Sequence, residues 1–245
     1  MPAGQSDTTY TRIVVYSAVF AALVFAATLI SVETPTTKGY FNLGESMVYT
    51  AAILLGPLVG AIAGGLGSAM ADVYLGYGHY APGTLVIKGL EGYIVGLLAL
   101  KLMEASEDRA RLVARLSAVL VAGGVILAGA LVYSGLYGGD TILYIFGRQV
   151  EFRVPLWAWI VVGVLAGAAI LYVERRRGPR HAARLAAMLV GGLEMVAGYF
   201  LYEAIVLQYG LAAAAEIPVN IGQALIGAAI ASWLVSIVEE AGVRL

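Results

Sequence analysis

The sequence predicts an all-α integral membrane protein of about eight transmembrane helices. Hydrophobic residues fill 60% of the 245 positions and charged residues only 13%. Counted with glycine and without tyrosine, the apolar share is about 67%, where soluble domains hold about 45–50%. The mean hydropathy is +0.86. Apolar runs of about 20 residues recur along the chain, the length that crosses a hydrocarbon core about 30 Å thick. A soluble chain of this size would lack the polar surface to cover itself.

The first run, Ile13–Val32, is too long for a signal-peptide core of about 7–15 residues and reads as a retained helix. The next, Ser46–Leu75, would be about 45 Å long as one helix, too much for a single crossing. Gly56-Pro57 falls inside it, and proline lacks the amide donor and crowds the preceding turn. The prediction is therefore two helices, roughly Glu45–Leu55 and Leu58–Leu75. Further spans follow at Thr84–Met103, Leu116–Leu136, Leu156–Val173, Leu185–Leu207 and Val219–Val238. Between two of them, Thr141–Val154 alternates partly around Gly147, the pattern of a small hairpin.

Charge placement sets the direction. With both termini cytoplasmic, the inner side receives Arg12, Lys101, Arg109, Arg111, Arg115, the basic run Glu174–Arg184 and Arg244. The outer side keeps Lys38, Arg148 and Arg153. This is a positive-inside distribution, and it predicts a multi-pass plasma-membrane protein. Seven spans with an outer N-terminus fit the charges equally; length and the Gly-Pro break select eight. Four outer loops result: Glu33–Glu45, Gly76–Gly83, Gly138–Pro155 and Leu211–Pro218.

Ionisable groups are costly inside a span and usually face the helix bundle or a cavity. Lys88 and Glu91 lie one turn apart on the fourth span and can pair locally. Glu194 and Glu203 sit on the seventh, near Tyr199 and Tyr202, and Asn220 and Gln223 begin the eighth. Asp72 ends the third span, while Asn42 and Glu45 stand at the mouth of the second, where either can cap it. All but Glu194 fall in the outer half. With Tyr40, Tyr80, Tyr93 and Tyr199 around them, they offer the hydrogen bonds and stacking faces that a small polar aromatic ligand needs. Binding is therefore expected at Asn42, Glu45, Lys88, Glu91, Tyr199, Glu203, Asn220 and Gln223.

Small residues at spacing four form a second pattern. Gly56, Gly60, Gly64 and Ser68, with Gly92 and Gly96, read as internal close packing. Ala18, Ala22 and Ala26 line one face of the first span. Several classes are excluded or disfavoured. A net charge of −1 gives no footprint for nucleic acid, and the absence of cysteine removes thiol chemistry. Neither a GxxxxGK[ST] phosphate loop nor HExxH occurs, and His79 and His181 lie far apart. No catalytic residue, cofactor or metal is predicted.

The run GYFNLGESMVYTAAILLGPLVGAIAGGLGSAMADVYLGYGHYAPGTLVIKGLEG (Gly39–Gly92) resembles the substrate-binding S components of energy-coupling factor (ECF) transporters, nearest the riboflavin and hydroxymethylpyrimidine branch. GGLEMVAGYFLYE (Gly191–Glu203) and EIPVNIGQALIGA (Glu216–Ala228) are similar to that branch's last two helices. The resemblance implies a six-helix bundle capturing a vitamin or precursor from outside, partnered by a transmembrane coupling subunit and two ATPase subunits. It implies that Ala18, Ala22 and Ala26 dock the coupling subunit and that Glu33–Glu45 is a lid. Family ligand contacts fall on Lys88, Glu91, Tyr199, Glu203, Asn220 and Gln223. The core would be residues 13–103 and 185–239. Residues 104–184 depart from the family pattern, as an inserted transmembrane hairpin. Pyrimidine, pyridine and flavin ligands suit the residues about equally. The competing reading is a stand-alone proton-coupled transporter using Glu91, Glu203 or Asp72.

Overall fold

Gly56 and Pro57 divide the long apolar stretch. In the computed structural model, which describes residues 3–33, 40–132, 141–145, 148–152 and 155–242, α2 runs Gly44–Leu55 and α3 runs Pro57–Tyr74. Gly56 takes φ 86°, a left-handed backbone that suits glycine, and its amide donates to the Ala52 carbonyl at 3.1 Å. Pro57 opens α3 at a position where its missing N–H costs nothing. At 12 residues, α2 rises only about 18 Å and does not cross a bilayer by itself.

Each remaining apolar run carries a helix, with shifted ends: α1 Ala3–Thr28, α4 Ala81–Glu104, α5 Glu107–Val132, α6 Leu156–Arg177, α7 Pro179–Leu201 and α8 Ile217–Glu240. α1 stops short of the expected Val32, where Ser31–Glu33 is strand, and α5 and α7 begin before the expected Leu116 and Leu185. Two short two-stranded ladders complete the described elements. One pairs β1 (Ser31–Glu33) with β2 (Tyr40–Asn42). The other is the expected hairpin, β3 (Thr141–Ile145) antiparallel to β4 (Arg148–Phe152), with Thr141 opposite Phe152 and Ile145 opposite Arg148. The middle of the Glu33–Glu45 loop with Lys38, the end of the Leu116–Leu136 span, the start of the Gly138–Pro155 segment, Gly147, Arg153 and Arg244 lie outside the described residues.

Among the described residues, five helices are long and apolar enough to span a membrane unaided, and the fold is that of an all-α multi-pass membrane protein. α7 does not run straight through to Leu207 as its hydropathy suggests. It loosens into a π-helical turn at Tyr202–Val206, followed by a 3₁₀ turn at Gly210–Glu216.

The chain divides into two compact units. The first comprises residues 1–31, 42–101 and 223–245, hence α1 to α4 and most of α8. Its α3 and α4 are in backbone contact: a Cβ on Gly60 would lie 2.8 Å from the Gly92 carbonyl oxygen, and one on Gly64 2.8 Å from that of Lys88. The glycine rows are thus internal packing surfaces, where small residues let two backbones meet. The second unit comprises residues 32–41 and 102–222, with α5, α6 and α7 packed on one another. There Gly163 and Gly167 of α6 lie against the Ala122 and Ala118 carbonyls of α5, at 2.7 and 2.9 Å from their virtual Cβ atoms. This contact grouping puts α7 with the hairpin helices, whereas the sequence resemblance groups it with the core.

Candidate ligand-binding site

Three helices of the first unit, α2, α4 and α8, deliver the side chains of the site, and α3 packs behind them. On α4, Lys88 and Glu91 project from one buried face, one turn apart, and the Lys88 ammonium reaches Glu91 Oε2 at 3.0 Å. The opening turn of α2 brings Glu45 to the other side of the same ammonium, where its Oε2 pairs with Lys88. One turn further along α2, the Tyr49 hydroxyl donates to Glu91 Oε1 at 3.0 Å. From α8, Gln223 Nε2 donates to Glu45 Oε2 at 3.1 Å. Gln223 Oε1 accepts from both the Asn42 backbone N–H and Asn42 Nδ2, each at 3.0 Å. One lysine thus stands between two carboxylates, and one glutamine joins that group to the residue where β2 ends.

The cluster is dry. Lys88 is 3% exposed, Glu91 0% and Glu45 1%, inside a chain whose surroundings are hydrocarbon. Unpaired charges would be prohibitive there, so each charge must keep its partner or neutralise. Glycines on two helices allow the approach. α3 lays Gly64 directly on the Lys88 carbonyl, and α8 lays Gly227 on the Glu45 side chain, 2.6 Å from a virtual Cβ to Glu45 Cβ and Cγ. Glu45 does not cap α2: the capping position is Leu43, without a side-chain cap, and the Gly44 amide donates to Asn42 Oδ1 at 2.9 Å.

Of the eight residues expected to bind, the structure brings together Asn42, Glu45, Lys88, Glu91 and Gln223. Tyr199, Glu203 and Asn220 belong to the second unit. Glu203 is 2% exposed within the π-helical turn, a rare local geometry that often marks functional positions. Asn220 is buried and Tyr199 half-buried. Of the expected aromatic ring, Tyr80 is buried, but Tyr93 is 45% exposed on another face of α4 from Lys88 and Glu91, and does not line their cluster. Its position, five residues after Lys88, puts it round the helix from that face.

Tyr49 and Gly227 escaped the sequence reading. The signal available for Tyr49 was its spacing of four from Glu45, which places both on one face of α2. Ala18, Ala22 and Ala26 are exposed along α1. No group of three or more metal-ligating side chains occurs among the described residues.

These features define a polytopic membrane protein with a buried, charged, hydrogen-bonded cluster held by four helices. Comparison with known proteins is more specific: residues 8–156 match the family model described as ECF-type riboflavin transporter, S component, and the chain belongs to that family. The matched stretch contains Asn42, Glu45, Lys88 and Glu91 and runs on through α5 and the β3–β4 ladder to the start of α6. The chain is 35% identical over 160 residues to a Pyrococcus woesei protein described as an uncharacterized protein in gap 3′ region, covering 64% of this chain and 98% of that one. It is 30% identical over 118 residues to the thiamine precursor transporter HmpT of Lactococcus lactis subsp. cremoris (strain MG1363), covering 47% of this chain and 66% of that protein. The chain is thus a vitamin-uptake component embedded in a membrane.

Proposed function

We propose that this protein is the ligand-capturing subunit of an ECF-type importer. It takes a water-soluble vitamin or precursor from the extracellular side, with both termini cytoplasmic, and releases it inside with energy from partner ATPases. The observation that carries this reading is the cluster of Glu45, Lys88, Glu91 and Gln223, buried in a membrane segment where such groups are retained at a cost. The description of the Lactococcus relative as a thiamine precursor transporter supports a small heterocycle as cargo.

Asn42 supplies the mechanism. It ends β2 within the Glu33–Glu45 loop and is bound to Gln223, which is bound to Glu45, which is paired with Lys88. In this reading Asn42 ties the lid loop to the charged cluster through Gln223. The family resemblance adds Tyr199, Glu203 and Asn220 as ligand-contact candidates, to be tested by their own substitutions. Release requires that the inward-facing state bind the ligand less tightly, with the difference supplied by the partner subunits. The exposed Ala18, Ala22 and Ala26 offer the coupling subunit a face that permits close backbone approach. Residues 104–184 are then an addition to the core of residues 13–103 and 185–239.

The test is mass spectrometry of small molecules that copurify with the protein in mild detergent, followed by calorimetric titration of the compound found. A pyrimidine, pyridine or flavin compound supports the reading, and binding that survives Glu91→Gln and Gln223→Leu unchanged removes the cluster from the site. Uptake that persists without ATPase subunits and collapses with a protonophore would instead make the chain a proton-coupled secondary transporter. Ala22→Leu is expected to abolish copurification of the coupling subunit while leaving ligand affinity intact, as a pull-down and the same titration would report.

A further inference from the structure

α6 carries a continuous exposed apolar stripe. Val161, Val164, Leu165, Leu171 and Tyr172 all face outward, and in a membrane that stripe faces lipid. At 22 residues α6 rises about 33 Å, so its C-terminal turn emerges from a hydrocarbon core about 30 Å thick. Arg175 and Arg176 are exposed there and continue the same stripe, one turn beyond Leu171 and Tyr172. The Arg176 guanidinium carbon sits 5.7 Å from the centre of the Tyr172 ring, a pairing suited to the boundary between tails and headgroups. Arg180, exposed in the first turn of α7, lies just past the Gly178-Pro179 corner.

The local acid is already neutralised. Glu174 is the only carboxylate in the run Glu174–Arg184, which holds five arginines. Arg115 of α5 grips it, with Nε at 3.1 and 3.2 Å from its two oxygens and a second nitrogen at 2.9 Å. The corner therefore presents guanidinium groups in line with a lipid-facing surface, with no free carboxylate of that run opposing an anion.

We propose that the α6–α7 corner binds the phosphate of anionic phospholipid headgroups through Arg175, Arg176 and Arg180. Guanidinium forks match phosphate oxygens, and basic clusters next to membrane helices attract anionic lipid. Continuity with the apolar stripe favours a lipid over a soluble phosphate compound, because one molecule would meet both surfaces at once.

The experiment is native mass spectrometry of the whole delipidated chain in neutral detergent, titrated with dioleoylphosphatidylglycerol or dioleoylphosphatidylcholine, with inorganic phosphate as competitor. Phosphatidylglycerol should bind about tenfold better than phosphatidylcholine, weakening with salt. The triple variant Arg175→Gln/Arg176→Gln/Arg180→Gln should lose that preference at an unchanged melting temperature, and the triple lysine variant should keep most of it. Equal binding of the two lipids overturns the proposal, as does preference retained in the glutamine variant. Displacement of the lipid by millimolar inorganic phosphate would make the corner a site for free phosphate. A glutamine variant that keeps its lipid but no longer assembles with ATPase-bearing partners would make it a protein interface. Either result refutes the lipid assignment.

Discussion

The two units each hold a three-membered ion cluster of inverted composition, in opposite surroundings. In the first, Lys88 lies between Glu45 and Glu91 with almost no exposure. In the second, Glu174 lies between Arg111 and Arg115, whose side chains are 46% and 58% exposed. Water and headgroups reach the two arginines of the second, and Glu174, whose side chain is 9% exposed, keeps one arginine when the other is lost. Neither water nor headgroups reach the first, where a charge left alone keeps its full desolvation cost. The first cluster is therefore the one in which losing a single partner changes the balance of charge and hydrogen bonds appreciably. The second is a fastener between α5 and α6.

The largest effect that separates them is expected at Lys88. Lys88→Ala leaves two carboxylates buried side by side, and breaking a buried pair in this way costs about 3–5 kcal/mol. The variant should melt well below the parent in detergent and bind no ligand, by differential scanning fluorimetry and calorimetry. A parent-like melting temperature would mean that water reaches the cluster. Gly227→Val comes next. Its Cβ would fall within 2.6 Å of the Glu45 side chain, and overpacking of that kind costs about 1–3 kcal/mol. Ligand affinity should fall with stability, because Glu45 cannot move without losing Lys88 or Gln223. Affinity that stays at the parent value would show that the position of Glu45 is irrelevant to binding.

Gln223→Leu is gentler on the fold and sharper on the site. It keeps the side-chain volume but removes the bonds to Glu45 and to Asn42, leaving their groups unmatched at about 1–3 kcal/mol. If Gln223 couples the loop to the cluster, the variant should show a faster ligand off-rate in stopped-flow fluorescence. An unchanged off-rate would dissociate the two.

How much of this was legible depends on how far each feature reaches beyond its own helix. The α2–α3 break could be read because Gly56 and Pro57 act on the local backbone. Lys88 and Glu91 stood out because charge within an apolar run is rare, and their spacing of three already placed them on one face. Tyr49 was hidden, since an aromatic residue in an apolar helix has the same pattern whether it packs or donates a hydrogen bond. Gly227 was hidden for a different reason: its small size matters only because Glu45, 182 positions away in the chain, lies against it. The π-helical turn at Tyr202–Val206 left no mark in the hydropathy, which stays apolar through Leu207. Neither Asn42 nor Glu45 takes the capping position, which is Leu43: Glu45 is held instead by two buried partners, Lys88 and Gln223, and Asn42 accepts the Gly44 amide from one residue further out.

The smallest effect is expected at Arg115, and it tests the comparison from the other side. The Arg115–Glu174 pair is geometrically the better formed, forked and with contacts of 2.9 to 3.2 Å. Geometry alone would rank it above the Lys88–Glu91 contact at 3.0 Å. Environment reverses the order. Exposed pairs contribute about 0.2–1 kcal/mol, and Arg111 at 3.6 Å is positioned to take over Glu174 when Arg115 is gone. Arg115→Ala should therefore lower the melting temperature slightly or not at all, with the difference vanishing in high salt, and leave ligand affinity at the parent value. A loss comparable to that of Lys88→Ala would mean that the α5–α6 fastener is as dry as the Lys88 cluster, and the contrast between the two units would collapse.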